Sequence, residues 1–155
     1  MKKIFLAVLF LWSATNAFAA GIAFLPTPDG FERVKSTPEG VKFINRDTDV
    51  ILLVFNNGEY KGNFQEELKQ ERFAKNIVEG LERTSYKTIS SFRVEEIQGQ
   101  KVLVLEGKYA EGKVYLNKGV LCVKNGIFYT IDIFAPTPEL LDNSTYLFAE
   151  IIKQL

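Results

Sequence analysis

Few side chains in this sequence could do chemistry, and their spacing limits them further. The 155-residue chain has no histidine and one cysteine, Cys122. Histidine is the side chain whose ordinary pKa lies near neutrality, and it serves most general-base sites and many metal sites. Without it, Ser-His-Asp and Cys-His nucleophile pairs cannot be assembled within the chain. His-containing zinc sites are closed as well, and one thiolate cannot supply an all-cysteine site.

Carboxylates remain. Glu95 and Glu96 are adjacent in a strand-like stretch, so they point to opposite faces and cannot share a proton or flank a bond. Glu66, Glu67 and Glu71 fall on the solvated side of a helix pattern. Asp47-Thr48-Asp49 alternates like a calcium loop but lacks the loop's glycine and closing glutamate, and reads as a hairpin turn. Gly58, Gly62 and Asn63 precede a helix start without the spacing or terminal Lys-Ser/Thr of a nucleotide loop. The expectation is no catalytic, cofactor-binding or metal-binding residue.

Binding is easier to place. Tyr60 and Lys61 stand in a loop pattern over residues 56–62, where loops on rigid scaffolds often make contacts. Tyr109 and Tyr115 flank Ala110-Glu111-Gly112-Lys113, so both could extend from a hairpin tip as interface anchors. These four are the candidate partner contacts. Ten of the 13 phenylalanines lie beyond residue 19, and most fall on apolar faces that packing explains before a hydrophobic ligand does. Cys122, between Leu121 and Val123, reads as a small buried hydrophobe, with a mixed disulfide as the alternative.

These residues need elements to hold them. Residues 31–36 and 41–45 read as strands joined by Thr37-Pro38-Glu39-Gly40, a turn compatible with type II or type I. The apolar run 50–55 predicts a central strand buried on both faces. A helix follows over 63–83, capped by Asn63 with Glu66 three residues on, and with Leu68, Ala74, Ile77, Val78 and Leu81 on one stripe. A period of two returns from 91 to 135, with turns at Gln98-Gly99, at 110–112 and at Asn125-Gly126, the last needing positive φ at both positions. Thr137-Pro138-Glu139 opens a final helix with an apolar stripe from Leu140 to Leu155. One antiparallel sheet of six to seven strands, with a helix after the early strands and another at the end, is α+β.

Lys2 and Lys3, the apolar run 4–12 and Ala17-Phe18-Ala19 form a secretory leader over residues 1–19, too short to span a bilayer. Residues 20–155 then form one domain, exported and free of the membrane, most simply in a bacterial periplasm. Removing two of the 19 basic residues leaves 17 against 19 acidic ones, no surplus for nucleic acid. Apolar residues at 46% and charged residues at 25% exclude wholesale disorder.

The order of these features resembles the PsbP-like and DcrB-like domains. Pro28-Asp29-Gly30-Phe31 is similar to their Pro-x-Gly-aromatic start. Ile97-Gln98-Gly99, Lys124-Asn125-Gly126 leading into Tyr129-Thr130-Ile131, and Phe134-Ala135-Pro136 before a C-terminal helix follow in their order. The resemblance implies a sheet layered between helices, an α/β/α sandwich, and non-enzymatic work as an accessory domain docking on an envelope or membrane-associated protein. The alternative is an NTF2-like variant carrying a small apolar ligand between sheet and helix.

Overall fold

The computed structural model describes residues 20–155 apart from Tyr86; the leader expected over residues 1–19 lies outside the described residues. A one-turn helix, α1 (Ala20–Ala23), leads into β1 (Glu32–Ser36), β2 (Gly40–Asn45) and β3 (Val50–Glu59). Two helices follow, α2 (Phe64–Glu67) and α3 (Glu71–Thr84). Then come β4 (Lys87–Ile97), β5 (Gln100–Glu111), β6 (Lys113–Lys124) and β7 (Ile127–Ala135), closed by α4 (Pro138–Ser144) and α5 (Tyr146–Gln154). The seven strands form one antiparallel sheet in the order β1-β2-β3-β7-β6-β5-β4. The fold is α+β, with helices on both faces of that sheet.

Turn chemistry sets the register. Asn125 and Gly126 take φ of 53° and 76°, and Gln98 and Gly99 take 53° and 74°, the paired positive values of the tight hairpins joining β6–β7 and β4–β5. No residue of Thr37-Pro38-Glu39-Gly40 has positive φ, which excludes type II there. The β5–β6 turn is tighter than the sequence suggests: β5 continues through Glu111, and Gly112 alone separates it from β6. Strand β4 begins at Lys87, not at 91.

Two apolar layers result. On one face Leu147, Phe148, Ile151 and Ile152 of α5, with Ile22 of α1, pack on Phe43, Leu52, Val104, Ile131 and their neighbours. On the other, Phe64, Leu68, Ala74, Ile77 and Val78 cover Leu103, Leu105, Leu121 and Phe128. The alternation of β5 serves both, since Val102 and Val104 face one layer and Leu103 and Leu105 the other.

Four further expectations change. The helix expected over 63–83 is two helices, because Lys69 and Gln70 close the first turn with bonds to Glu66 and Glu67 three residues back, and Gln70 is extended. Asn63 does cap it, its side chain accepting from the Glu66 amide at 3.2 Å, while the Glu66 carboxylate is held by Lys69. Residues 56–59 are strand, not loop: β3 bulges where the Asn56 side chain accepts from the Gly58 amide and Gly58 takes φ of 91°, then pairs on with β7. The final helix is interrupted at Thr145, whose hydroxyl and amide both bond to the Asp142 carbonyl. The fourth change bears on function. Strand β3 is buried on one face only: Val50, Leu52 and Val54 are covered, whereas Ile51, Leu53 and Phe55 are half-buried.

Candidate functional site

The half-buried face of β3 opens onto a pocket of about 410 Å³, within the ordinary range of ligand sites. Register places its walls. Ile51 lies opposite Phe134, Leu53 opposite Asp132, and Lys42 opposite Leu53. The pocket lies beyond the helices: α2 and α3 pack on Leu103, Leu105, Leu121 and Phe128, and no residue of either helix lines the pocket.

An ion pair crosses its floor. The Lys87 ammonium donates to both carboxylate oxygens of Asp132 at 2.8 Å, and the Asn117 amide donates to Asp132 Oδ1 at 3.2 Å and to the Ile133 carbonyl at 3.1 Å. The two charged side chains are 14% and 5% exposed, so this pair is largely out of water. Asp132 is the one charged residue of β7, and a buried carboxylate left without such partners is strongly destabilising. Two glycines make room. A Cβ on Gly119 would come within 2.6 Å of Asp132 Oδ1, and one on Gly107 within 1.9 Å of the Thr88 carbonyl. Gly107 thus lets the start of β4 press onto β5 and deliver Lys87.

Aromatic rings line the rest. The Lys87 ammonium lies 5.6 Å from the centre of the Phe134 ring, and Tyr109 meets that ring edge-on at 5.3 Å. Tyr115, directly across the β5–β6 pair from Tyr109, donates its hydroxyl to Asp49 Oδ2 at 3.2 Å. The Lys113 ammonium pairs with the same carboxylate and lies 5.1 Å over the Tyr115 ring. That hydrogen bond from Lys113 holds the Asp49 carboxyl below its ordinary range. The Asp47-Thr48-Asp49 segment is a hairpin turn, its first two amides bonded to the Asn45 side chain.

The four sequence-predicted contacts therefore separate. Tyr109 and Tyr115 come together as half-buried walls of the pocket, lying on the sheet face instead of extending from the tip. Tyr60 is elsewhere, its ring against Phe64 and Phe128 and its hydroxyl donating to the Glu67 carboxylate. Burial, and then that carboxylate, pushes its ionisation far up. Lys61 is exposed outside the pocket. Sequence reasoning missed Lys42, Lys87, Asn117 and Asp132. Asp132 alone carried a signal, a lone acid inside the apolar run 127–135, but nothing local pointed to a partner 45 residues away.

Cys122 is buried in the layer under α5, with its thiol pushed up to about 12 by burial. Among the described residues no group of three or more His, Cys, Asp and Glu side chains could hold a metal ion, and no helix is long and apolar enough to cross a membrane.

A seven-stranded antiparallel sheet carrying helices on both faces is the PsbP-like fold. The chain is similar to the cyanobacterial PsbP protein CyanoP of Synechocystis, at a TM-score of 0.50 and 17% identity over 82% of this chain and 81% of that one. It also matches a protein of unknown function from Pseudomonas aeruginosa (TM-score 0.48, 12% identity, 68% and 71% covered). A third match is LpqN, involved in cell envelope biogenesis of Mycobacterium tuberculosis (TM-score 0.34, 15% identity, 71% and 67% covered). No protein-family model and no curated protein sequence matches the chain. The resemblance read from the turns thus holds for the fold.

Proposed function

We propose that this chain is an exported, non-enzymatic binding domain that docks on an envelope protein through the open part of its sheet. One observation carries the reading: a strand apolar on both faces is roofed by helices on one and left half-covered on the other. Half-buried aromatic rings beside such an opening suit recognition, since tyrosine offers a large rigid surface with a polar tip. The leader pattern of residues 1–19 supports the location. A second reading, carriage of a small apolar ligand, is favoured by the concavity of the same surface.

The test is photocrosslinking in the native host. A photoreactive residue at Tyr115 should capture an envelope protein, and one at Lys61 should not. Equal capture at both positions, or none at Tyr115, would remove the open face as the docking surface.

A further inference from the structure

We infer that the pocket on the open sheet face takes an apolar molecule carrying one negative charge, a medium-chain or aryl carboxylate. The inference rests on the proposed use of that face for binding and names the chemistry it selects. Charge decides the sign. The charged groups lining the pocket are Lys42, Lys87 and Asp132. Lys87 and Asp132 neutralise one another through two 2.8 Å hydrogen bonds. Lys42 makes no ion pair among the described residues, so the pocket carries one uncompensated positive charge beside an apolar wall. A half-buried cation beside apolar surface is poorly solvated, and an entering anion gains more there than it would in bulk water.

Donor arithmetic points the same way. An ammonium has three N–H groups, and Lys87 spends two on Asp132. The third makes no hydrogen bond among the described residues, where the Phe134 ring is its neighbour at 5.6 Å, and Lys42, which also lines the pocket, supplies the full charge. Asp132 accepts from both Lys87 and Asn117, so its oxygens are engaged and offer little to a cation. A quaternary ammonium, which an aromatic-lined hollow otherwise attracts, meets the uncompensated Lys42 charge here. Leu53, Ile51 and Phe55 provide the surface for the apolar body. The volume of about 410 Å³ suits a molecule far smaller than a folded partner.

Three probes with one alkyl chain separate charge from burial: decanoate, decanol and decyltrimethylammonium, titrated into the purified chain by calorimetry and amide NMR, the two ions below their micelle concentrations and decanol below its solubility limit. Decanoate should bind about tenfold more tightly than decanol, the worth of one charge-assisted hydrogen bond, and the cation more weakly than either. Shifts should centre on Leu53, Asp132 and Tyr115. Lys42→Gln should bring decanoate to the level of decanol and leave decanol unchanged. The wild-type comparison of probes stands even if that variant misfolds. Equal binding of decanoate and decanol, tighter binding of the cation, or no binding of any probe overturns the inference. Crosslinking of an envelope protein at Tyr115 would persist in each of those cases if only the ligand chemistry, and not the use of the face, were at fault.

Discussion

Along β3 the side chains facing the C-terminal helices, Val50, Leu52 and Val54, are at most 2% exposed, whereas Ile51, Leu53 and Phe55 on the reverse are half-buried. The two faces share one backbone and one kind of residue, so the difference is not in the strand but in what covers it. The C-terminal chain lays two consecutive helices on its face, and Ile22 of α1 and Leu25 just beyond it add to the cover. The reverse face receives one main helix, α3, which packs beside β4 and over the end of the sheet that carries Leu103, Leu121 and Phe128. One face is therefore a sealed core, and the other is part core, part opening. Adjacent leucines make the comparison measurable. Leu52→Ala should cost about 3–5 kcal/mol, because a sealed layer cannot collapse around the missing carbons. Leu53→Ala should cost about 1 kcal/mol, since the position is already part-solvated. Urea unfolding of both variants reads the difference, and equal losses would mean that the pocket is closed in solution.

The buried ion pair sharpens the comparison, because it is the polar element holding the open half in shape. Lys87→Met should cost about 3 kcal/mol, since it leaves the Asp132 carboxylate without its cation in a site only 5% exposed. Replacing both partners, Lys87→Met with Asp132→Leu, should recover most of that loss, because the desolvated charge goes with its partner. A double-mutant cycle in urea gives the coupling directly. If the single and double variants are equally unstable, the pair serves packing and not charge.

What could be read in advance follows from which interactions are local. Turn residues such as Asn125-Gly126 need left-handed backbone, and the structure places positive φ there and at Gln98-Gly99. The sealed face was legible because α5 repeats its apolar residues at helical spacing. Tyr109 and Tyr115 were legible as a pair because one short hairpin joins them. The opening was not. Residues 50–55 are apolar throughout, and periodicity cannot tell a strand covered twice from one covered once and a half. That depends on where α3 lies across the sheet, a non-local fact. Tyr60 was misplaced for the opposite reason: residues 56–62 read as a loop, but β3 continues through a bulge to Glu59, and the Tyr60 ring packs on Phe64 and Phe128. Lys87 is delivered to Asp132 by the close approach of Thr88 to Gly107, which no motif announces.

Cys122 tests the seal from inside. It lies under α5 with its thiol raised from 9.0 to about 12, chiefly by burial. In the native state it should not react with a disulfide reagent at pH 8, and labelling should follow unfolding. The sign of the pH dependence is fixed. The unfolded thiol loses its proton first as pH rises, so its contribution to stability is full below about 9 and declines toward about 12. Within that window wild type should lose about 1.4 kcal/mol per pH unit relative to Cys122→Val. Rapid native labelling at pH 8 would show that the layer under α5 admits solvent.

The smallest effect belongs to the helix pair that covers the reverse face. Asn63 holds the first turn of α2 by accepting from the Glu66 amide, and Gln65 then pairs with the Lys101 backbone, its amide donating at 2.9 Å and its carbonyl accepting at 2.8 Å. The cap and the clamp act in series on one turn that carries Phe64 into the α3 layer. Asn63→Ala should cost about 1 kcal/mol, the ordinary worth of a cap. Because the turn sits on the half-covered face, the loss should show as local opening. Hydrogen exchange should quicken at Leu68 and near the start of β5 while the amides under α5 keep their protection. A uniform rise in exchange across both faces would mean that the two layers unfold as one unit, and that the difference between them is one of exposure without a difference in stability.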